Sequence, residues 1–197
     1  MTRDVAVLLF DEVEVLDFAG PFEVFSVTGR RTGLAPFNVY TVSERAGPVH
    51  ARNDLRVVPT HSFASCPPPE ILVVPGGFGT RREMHNAALI EWLRSTSETA
   101  ELVLSVCTGA LLLAKAGLLS GLGATTHHGA LGLLREIAPD ADVRSESRYV
   151  DNGKIVLSGG VSAGIDMALH VVSRLLGEEQ ARETAAYMEY PWPVSPS

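Results

Sequence analysis

The segment "SVCTG", residues 105–109, sets a lone cysteine between an apolar run of strand length and a run of helix character. A nucleophile on a sharp strand-to-helix turn needs small neighbours, and Gly109 stands two residues beyond Cys107. A thiol just ahead of a helix N-terminus is expected to have a lowered pKa, because unpaired N–H groups there favour the thiolate. The competing reading is a small buried hydrophobe, and from these residues alone both stay open. "PGGFG", residues 75–79, could present the N–H groups of Gly76 and Gly77 to developing negative charge, or could be a plain turn. In "VLDFAGPFEVF", Asp17 could be a functional carboxylate or only a helix cap. If Pro21 takes the first helical position, Gly20 is the cap and Asp17 hangs at a strand end. Glu23 then falls in the first turn, where an acid is a common capping partner. That logic favours Asp17. In "ATTHHGA", His127 and His128 could polarise a substrate or hold a metal. Neighbours on an extended segment point opposite ways, so one is expected to face the site and the other solvent.

The elements that would position these residues follow from the hydrophobic pattern. "VAVLLF" (5–10), "EILVVPGG" (70–77) and "ELVLSV" (101–106) are continuous apolar runs, as expected of strands buried on both faces. "FNVYTVS" (37–43) alternates like a strand, and "HARNDLRVVP" (50–59) suggests short edge strands. Helices are expected in "GPFEVFSVT", "NAALIEWLRSTS", "TGALLLAKAGLL" and "HGALGLLREIA", and the long amphipathic "AGIDMALHVVSRLLG" is expected to close the fold. "RYVDNGKIVLS" reads as a hairpin with Asn152-Gly153 as a two-residue turn. Strand and helix in alternation predict an α/β fold with a mostly parallel sheet covered on both faces. Asp17, Gly76-Gly77 and Cys107 each follow a predicted strand, and ligands in open α/β sheets bind beyond the strands' carboxyl ends.

Composition narrows the class. With 197 residues and 46% hydrophobic content, one domain over residues 1–190 is expected, and residues 191–197 have too little apolar content to be ordered. Lys and Arg number 16 against 23 Asp and Glu, a formal charge of −7 that opposes nucleic-acid and anionic-membrane partners and leaves a small molecule as the expected one. Neither a basic-then-apolar leader nor a run of 18 apolar residues occurs, so a cytoplasmic location is expected. Cys66 and Cys107 show no metal-ligand spacing, which argues against a disulfide scaffold or structural zinc. Without a P-loop Lys-Ser/Thr or a GxGxxG, nucleotide binding is not expected.

"DFAGPFEVF", "ILVVPGGFG", "VLSVCTGALLLAKAGLLSG", "ATTHH" and "VLSGGVSAGIDMALHVV" together resemble the ThiJ/PfpI branch of the class I glutamine amidotransferase-like superfamily. Within it they are most similar to isonitrile hydratases and to the sensor halves of certain AraC-type regulators. The resemblance implies a flavodoxin-like three-layer sandwich, usually homodimeric, with Cys107 at the elbow and Asp17 facing it. It implies a pocket lined by Gly77 and Thr108, alongside Gly76 and His127, and neither a metal nor an organic cofactor. The implied reaction hydrates an isonitrile to an N-substituted formamide through a thioimidate on Cys107, with Asp17 moving the proton. Where isonitrile hydratases usually read Thr-Thr-His-Trp, this chain has His128. Two other readings stand beside this one: glyoxalase-like or deglycase-like attack on reactive carbonyls, and a ligand-sensing or redox-sensing module without turnover. No helix-turn-helix pattern follows Leu176, so a regulator would need a separate DNA-binding partner.

Overall fold

A strand that is apolar on both faces is stable only inside a sheet covered on both sides. The computed structural model, which describes residues 2–192, builds such a sheet. The first half of the chain forms β1 (Arg3–Leu8), α1 (Val15–Val27), β2 (Phe37–Ser43), β3 (Val49–His50), β4 (Arg56–Val57), β5 (His61–Ser62), β6 (Ile71–Val74), α2 (Thr80–Glu83) and α3 (Ala87–Thr99). The second half forms β7 (Leu102–Val106), α4 (Gly109–Lys115), β8 (Gly123–Ala124), α5 (Leu131–Ile137), β9 (Asp142–Val143), β10 (Tyr149–Asp151), β11 (Ile155–Ser158), α6 (Ala163–Leu176) and α7 (Glu178–Tyr187). Seven strands pair in the order β10-β11-β7-β6-β1-β2-β5. Every pairing is parallel except the β10–β11 hairpin. Val7, Val73 and Leu104 lie side by side in register across the three central strands, all fully buried. No helix among the described residues is long and apolar enough to cross a membrane.

The chain leaves β1 for β2 on one side and returns to β6 on the other. The strand order therefore reverses between β1 and β6, where the carboxyl ends open a crevice. The loops after β1, β6 and β7 all emerge at that edge.

Three of the expected elements form differently, and the short α2, β5, β8 and β9 were not expected. Helix α1 begins at Val15, not at Pro21, so Asp17 sits in its first turn and Gly20 is no cap. Proline at the seventh helical position removes the bond to the Asp17 carbonyl, and packing against α6 offsets the loss. A Cβ on Gly20 would stand 2.9 Å from Ile165 Cγ1, so the missing side chain lets α1 and α6 approach closely. The hairpin turn falls one residue later than expected, because Asn152 N–H bonds Ile155 O and leaves Gly153-Lys154 at the tip. The Asn152 side chain instead ties Gly123 at both N and O. After α6, Gly177 at φ +95° breaks the chain and α7 follows, so α6 does not close the fold. Of the expected disordered tail, residues 193–197 lie outside the described residues, and Trp192 packs against the core.

Gly109 tests how tightly this edge is built. A Cβ there would lie 2.1 Å from the Val74 carbonyl oxygen, a backbone atom that cannot step aside. Gly109→Ala is expected to cost about 2–4 kcal/mol in urea unfolding. Gly132→Ala, in open space on α5, should be neutral or stabilise by up to about 1 kcal/mol.

Candidate active site

Cys107 directly follows β7 in the left-handed region, at φ +56°, a conformation a non-glycine residue holds only when its surroundings impose it. The surroundings here are hydrogen bonds. Its N–H is shared between Ser158 O at 3.2 Å and Gly159 O at 3.0 Å, and its carbonyl accepts from Thr126 Oγ1 at 2.7 Å. The turn throws the side chain off the strand at the start of α4, where it is 6% exposed. Cys66 lies ahead of β6, at the amino end of the sheet, and both cysteines are free thiols.

Asp17 reaches the same place from α1. It is fully buried, and Oδ2 accepts the Gly76 N–H at 3.0 Å. Oδ1 is buried without a hydrogen-bond partner among the described residues. Burial raises the carboxyl to about 7, a rise that Glu14 adds to, although the Gly76 N–H, the Cys107 thiol and the Val161 N–H oppose it. Burial and then the Asp17 charge push the Cys107 thiol up to about 12, against the pull of the Thr108 and Val161 N–H groups. The lowered thiol pKa expected from a helix N-terminus is thus reversed. Helix α4 is seven residues long, and its N–H groups are outweighed by an apolar setting and a facing acid. Between about pH 7 and 12 the two groups hold one proton.

The glycines serve a different end from the expected one. Gly76 N–H is taken by Asp17 and Gly77 N–H by Thr108 Oγ1 at 2.9 Å, so neither is a free donor for developing charge. Their role is to let the strands' loops meet: a Cβ on Gly76 would lie 2.5 Å from Thr108 N and 2.9 Å from Asp17 Oδ2. Thr80 completes the arrangement, its hydroxyl bonding Gly77 O at 2.8 Å and standing 3.1 Å from Thr108 Oγ1. The N–H groups that do face the pair belong to Thr108 and Val161. Sequence reasoning missed Val161, although "LSGGVS" repeats the strand-then-glycines signal of "VVPGGF".

His127 and His128 do not diverge. The chain turns into a short 3₁₀ segment at His128, and the rings stand 4.1 Å apart, His127 half-buried and His128 exposed. His127 Nδ1 accepts the Gly129 N–H at 3.1 Å, and its ring lies against Gly160. Burial, then the His128 and Arg81 charges, hold its pKa down. Glu23 is exposed on α1 and takes no part. Among the described residues no three His, Cys, Asp or Glu side chains gather as a metal site would need. A cleft of about 710 Å³ opens beyond β1 and β2, lined by Phe10, Glu44, Val49 and Asn86 among others. It holds neither Cys107 nor Asp17, and their paired chemistry, not its volume, marks the candidate site.

Fold and site together define an α/β protein that sets a cysteine on a strained elbow against a buried carboxylate. The chain belongs to the DJ-1/PfpI family, which it matches over residues 3–174. It is similar to the isonitrile hydratase of Pseudomonas putida, 34% identical over 190 residues that cover 96% of this chain and 79% of that one. It is also similar to the HTH-type transcriptional regulator GbdR of Pseudomonas aeruginosa, 27% identical over 93% of this chain, which spans about half of the regulator's length. Among solved structures, a ThiJ/PfpI family protein from Pseudomonas syringae superposes with a TM-score of 0.88 at 29% identity, covering 99% of this chain and 78% of that one.

The buried carboxyl carries a stability signature. Raised from 3.8 to about 7, it favours the folded state's protonated form, so the folded state is penalised as pH climbs from 4 to 7, by roughly 4 kcal/mol at most once ionised. Asp17→Asn is therefore expected to raise the unfolding free energy more at pH 8 than at pH 4. Equal gains at both values would mean that the carboxyl titrates normally.

Proposed function

We propose that the protein is an isonitrile hydratase-like enzyme, with Cys107 as nucleophile and Asp17 as proton carrier. The observation that carries this reading is the pair itself: a thiol and a carboxyl buried together, with one carboxyl oxygen left unpartnered. The similarity to an isonitrile hydratase over nearly the whole chain supports the substrate. A small-molecule substrate and a homodimeric assembly belong to the same reading.

The chemistry follows from the single proton. Asp17 takes it from the thiol as sulfur adds to the terminal carbon of R–N≡C, and returns it to that carbon, giving the thioimidate R–N=CH–S. Water then adds to the same carbon while Asp17 removes one of its protons and the nitrogen gains one. Collapse of the tetrahedral R–NH–CH(OH)–S intermediate expels sulfur and leaves R–NH–CHO, with one water consumed and the pair restored. Thr108 and Val161 N–H groups stabilise the negative charge on sulfur at attack and departure. A high thiol pKa is compatible with this scheme, because attack and proton transfer are coupled through the carboxylate. A second reading, ligand sensing without turnover, draws on the likeness to regulators over 93% of the chain.

Turnover of an isonitrile, set beside methylglyoxal, tests the reading: formamide release supports it, and methylglyoxal turnover alone favours the carbonyl chemistry instead. Cys107→Ser is expected to lower kcat by orders of magnitude while folding stability stays within about 2 kcal/mol of the parent.

The pH profile has a defined sign. Below about 7 both groups are protonated and no base is present; as pH rises through about 7 Asp17 ionises, so kcat/KM should climb there to a plateau. Asp17→Asn should lose about 100-fold or more and abolish that midpoint. A parental profile flat from pH 5 to 9 would remove Asp17 from the mechanism.

A further inference from the structure

The loop Gly159–Ser162 follows β11 and meets the elbow directly, since Gly159 O accepts the Cys107 N–H at 3.0 Å. Within it Val161 adopts φ +49°, a left-handed conformation unusual for a β-branched residue, which must be imposed by what grips the loop. Both ends are gripped by one residue. Arg148 O accepts the Gly159 N–H at 2.9 Å, and Arg148 Nη2 donates to Ser162 Oγ at 3.3 Å. Arg148 Nε also pairs with Asp166, which is 2% exposed in the first turn of α6. Asp166 is held in turn from the far end of the chain, where Tyr190 OH donates to its Oδ1 at 3.0 Å. A left-handed Glu189 turns the chain back after α7 and directs Tyr190 N–H to Ala185 O.

We propose that Arg148, oriented by Asp166 and Tyr190, is a positioning residue for the Cys107–Asp17 pair, acting by clamping the Gly159–Ser162 loop so that the Val161 N–H stays directed at both groups. The inference rests on the paired thiol and carboxyl of the proposed function and not on the identity of the substrate. Arg148 is suited to the role by its fork of donors, which grips a hydroxyl and a carboxylate at once, a geometry a lysine does not reproduce. Core packing does not require it, because its side chain is 37% exposed. The titratable groups around the pair are Asp17 and Glu14 from the start of α1, with His127 against Gly160 across the loop. Those around Arg148 are Asp166 and Tyr190.

The test is the pH dependence of Cys107 alkylation by iodoacetamide, read by mass spectrometry with Cys66 as internal control. Alkylation of Cys107 rises as Asp17 ionises near pH 7 and takes the thiol proton, and loss of the Val161 donor raises that carboxyl further, so in Arg148→Met this midpoint should move up by about half a pH unit or more, with Cys66 unchanged. Tyr190→Phe and Ser162→Ala should each shift it in the same direction by less, and Arg148→Lys should recover part of the Met effect. A folded Arg148→Met protein with the parental midpoint overturns the proposal. Should that variant not fold, Tyr190→Phe and Ser162→Ala decide, an upward shift in either supporting the clamp and parental midpoints in both overturning it. Because alkylation needs no substrate, these shifts in a protein that turns over no isonitrile would keep the clamp and remove the hydratase reading.

Discussion

Two acids buried against each other cannot both ionise, and this constraint organises the site. Asp17 and Cys107 share an apolar enclosure in which the first negative charge opposes the second. Everything around them limits how that one charge is held. Gly76 gives its N–H to one carboxyl oxygen, Val161 and Thr108 direct theirs at the pair, and the other carboxyl oxygen stays without a protein partner. A fully solvated carboxylate would be too weak a base near neutrality to take a proton from a thiol, and a fully satisfied one would be weaker still.

Such an enclosure requires backbone where side chains would otherwise be. The loop after β6 passes so close to the turn after β7 that Gly76 and Gly109 leave no volume for a methyl group. Thr108 and Thr80 bind the two loops through hydroxyls in the space that remains. The left-handed backbone at Cys107 and at Val161 belongs to the same arrangement. Local backbone strain is tolerated at Cys107 because its N–H and carbonyl are held from two other segments, and at Val161 because both ends of its loop are tied to Arg148.

Much of this was legible in the residues. Continuous apolar runs such as "ILVV" and "LVLSV" announce strands buried on both faces, and they alone order the sheet well enough to place Asp17, Gly76 and Cys107 at one edge. What escaped depends on tertiary context. Pro21 suggests a helix start, yet α1 begins six residues earlier because close packing on α6 outweighs a lost helical hydrogen bond. Glu178 and Glu179 after Gly177 are a fair start signal for α7, overlooked because that helix has little apolar content. The direction of the thiol pKa could not be read locally, since it is set by burial and by a carboxyl 90 positions away in the chain. The engagement of the glycine N–H groups is of the same kind, because their partners come from α1 and from the turn after β7.

The bond from Gly129 N–H to His127 Nδ1 reaches further than local geometry. With Nδ1 committed as an acceptor, the neutral ring carries its hydrogen on Nε2, and the lowered pKa keeps it neutral while Asp17 ionises. His127 is thereby restricted to donating, at one nitrogen, with no lone pair left to compete for the pair's proton. Near neutrality the proton shared by Asp17 and Cys107 then has no rival base in the His127 ring, which presents a fixed Nε2–H donor.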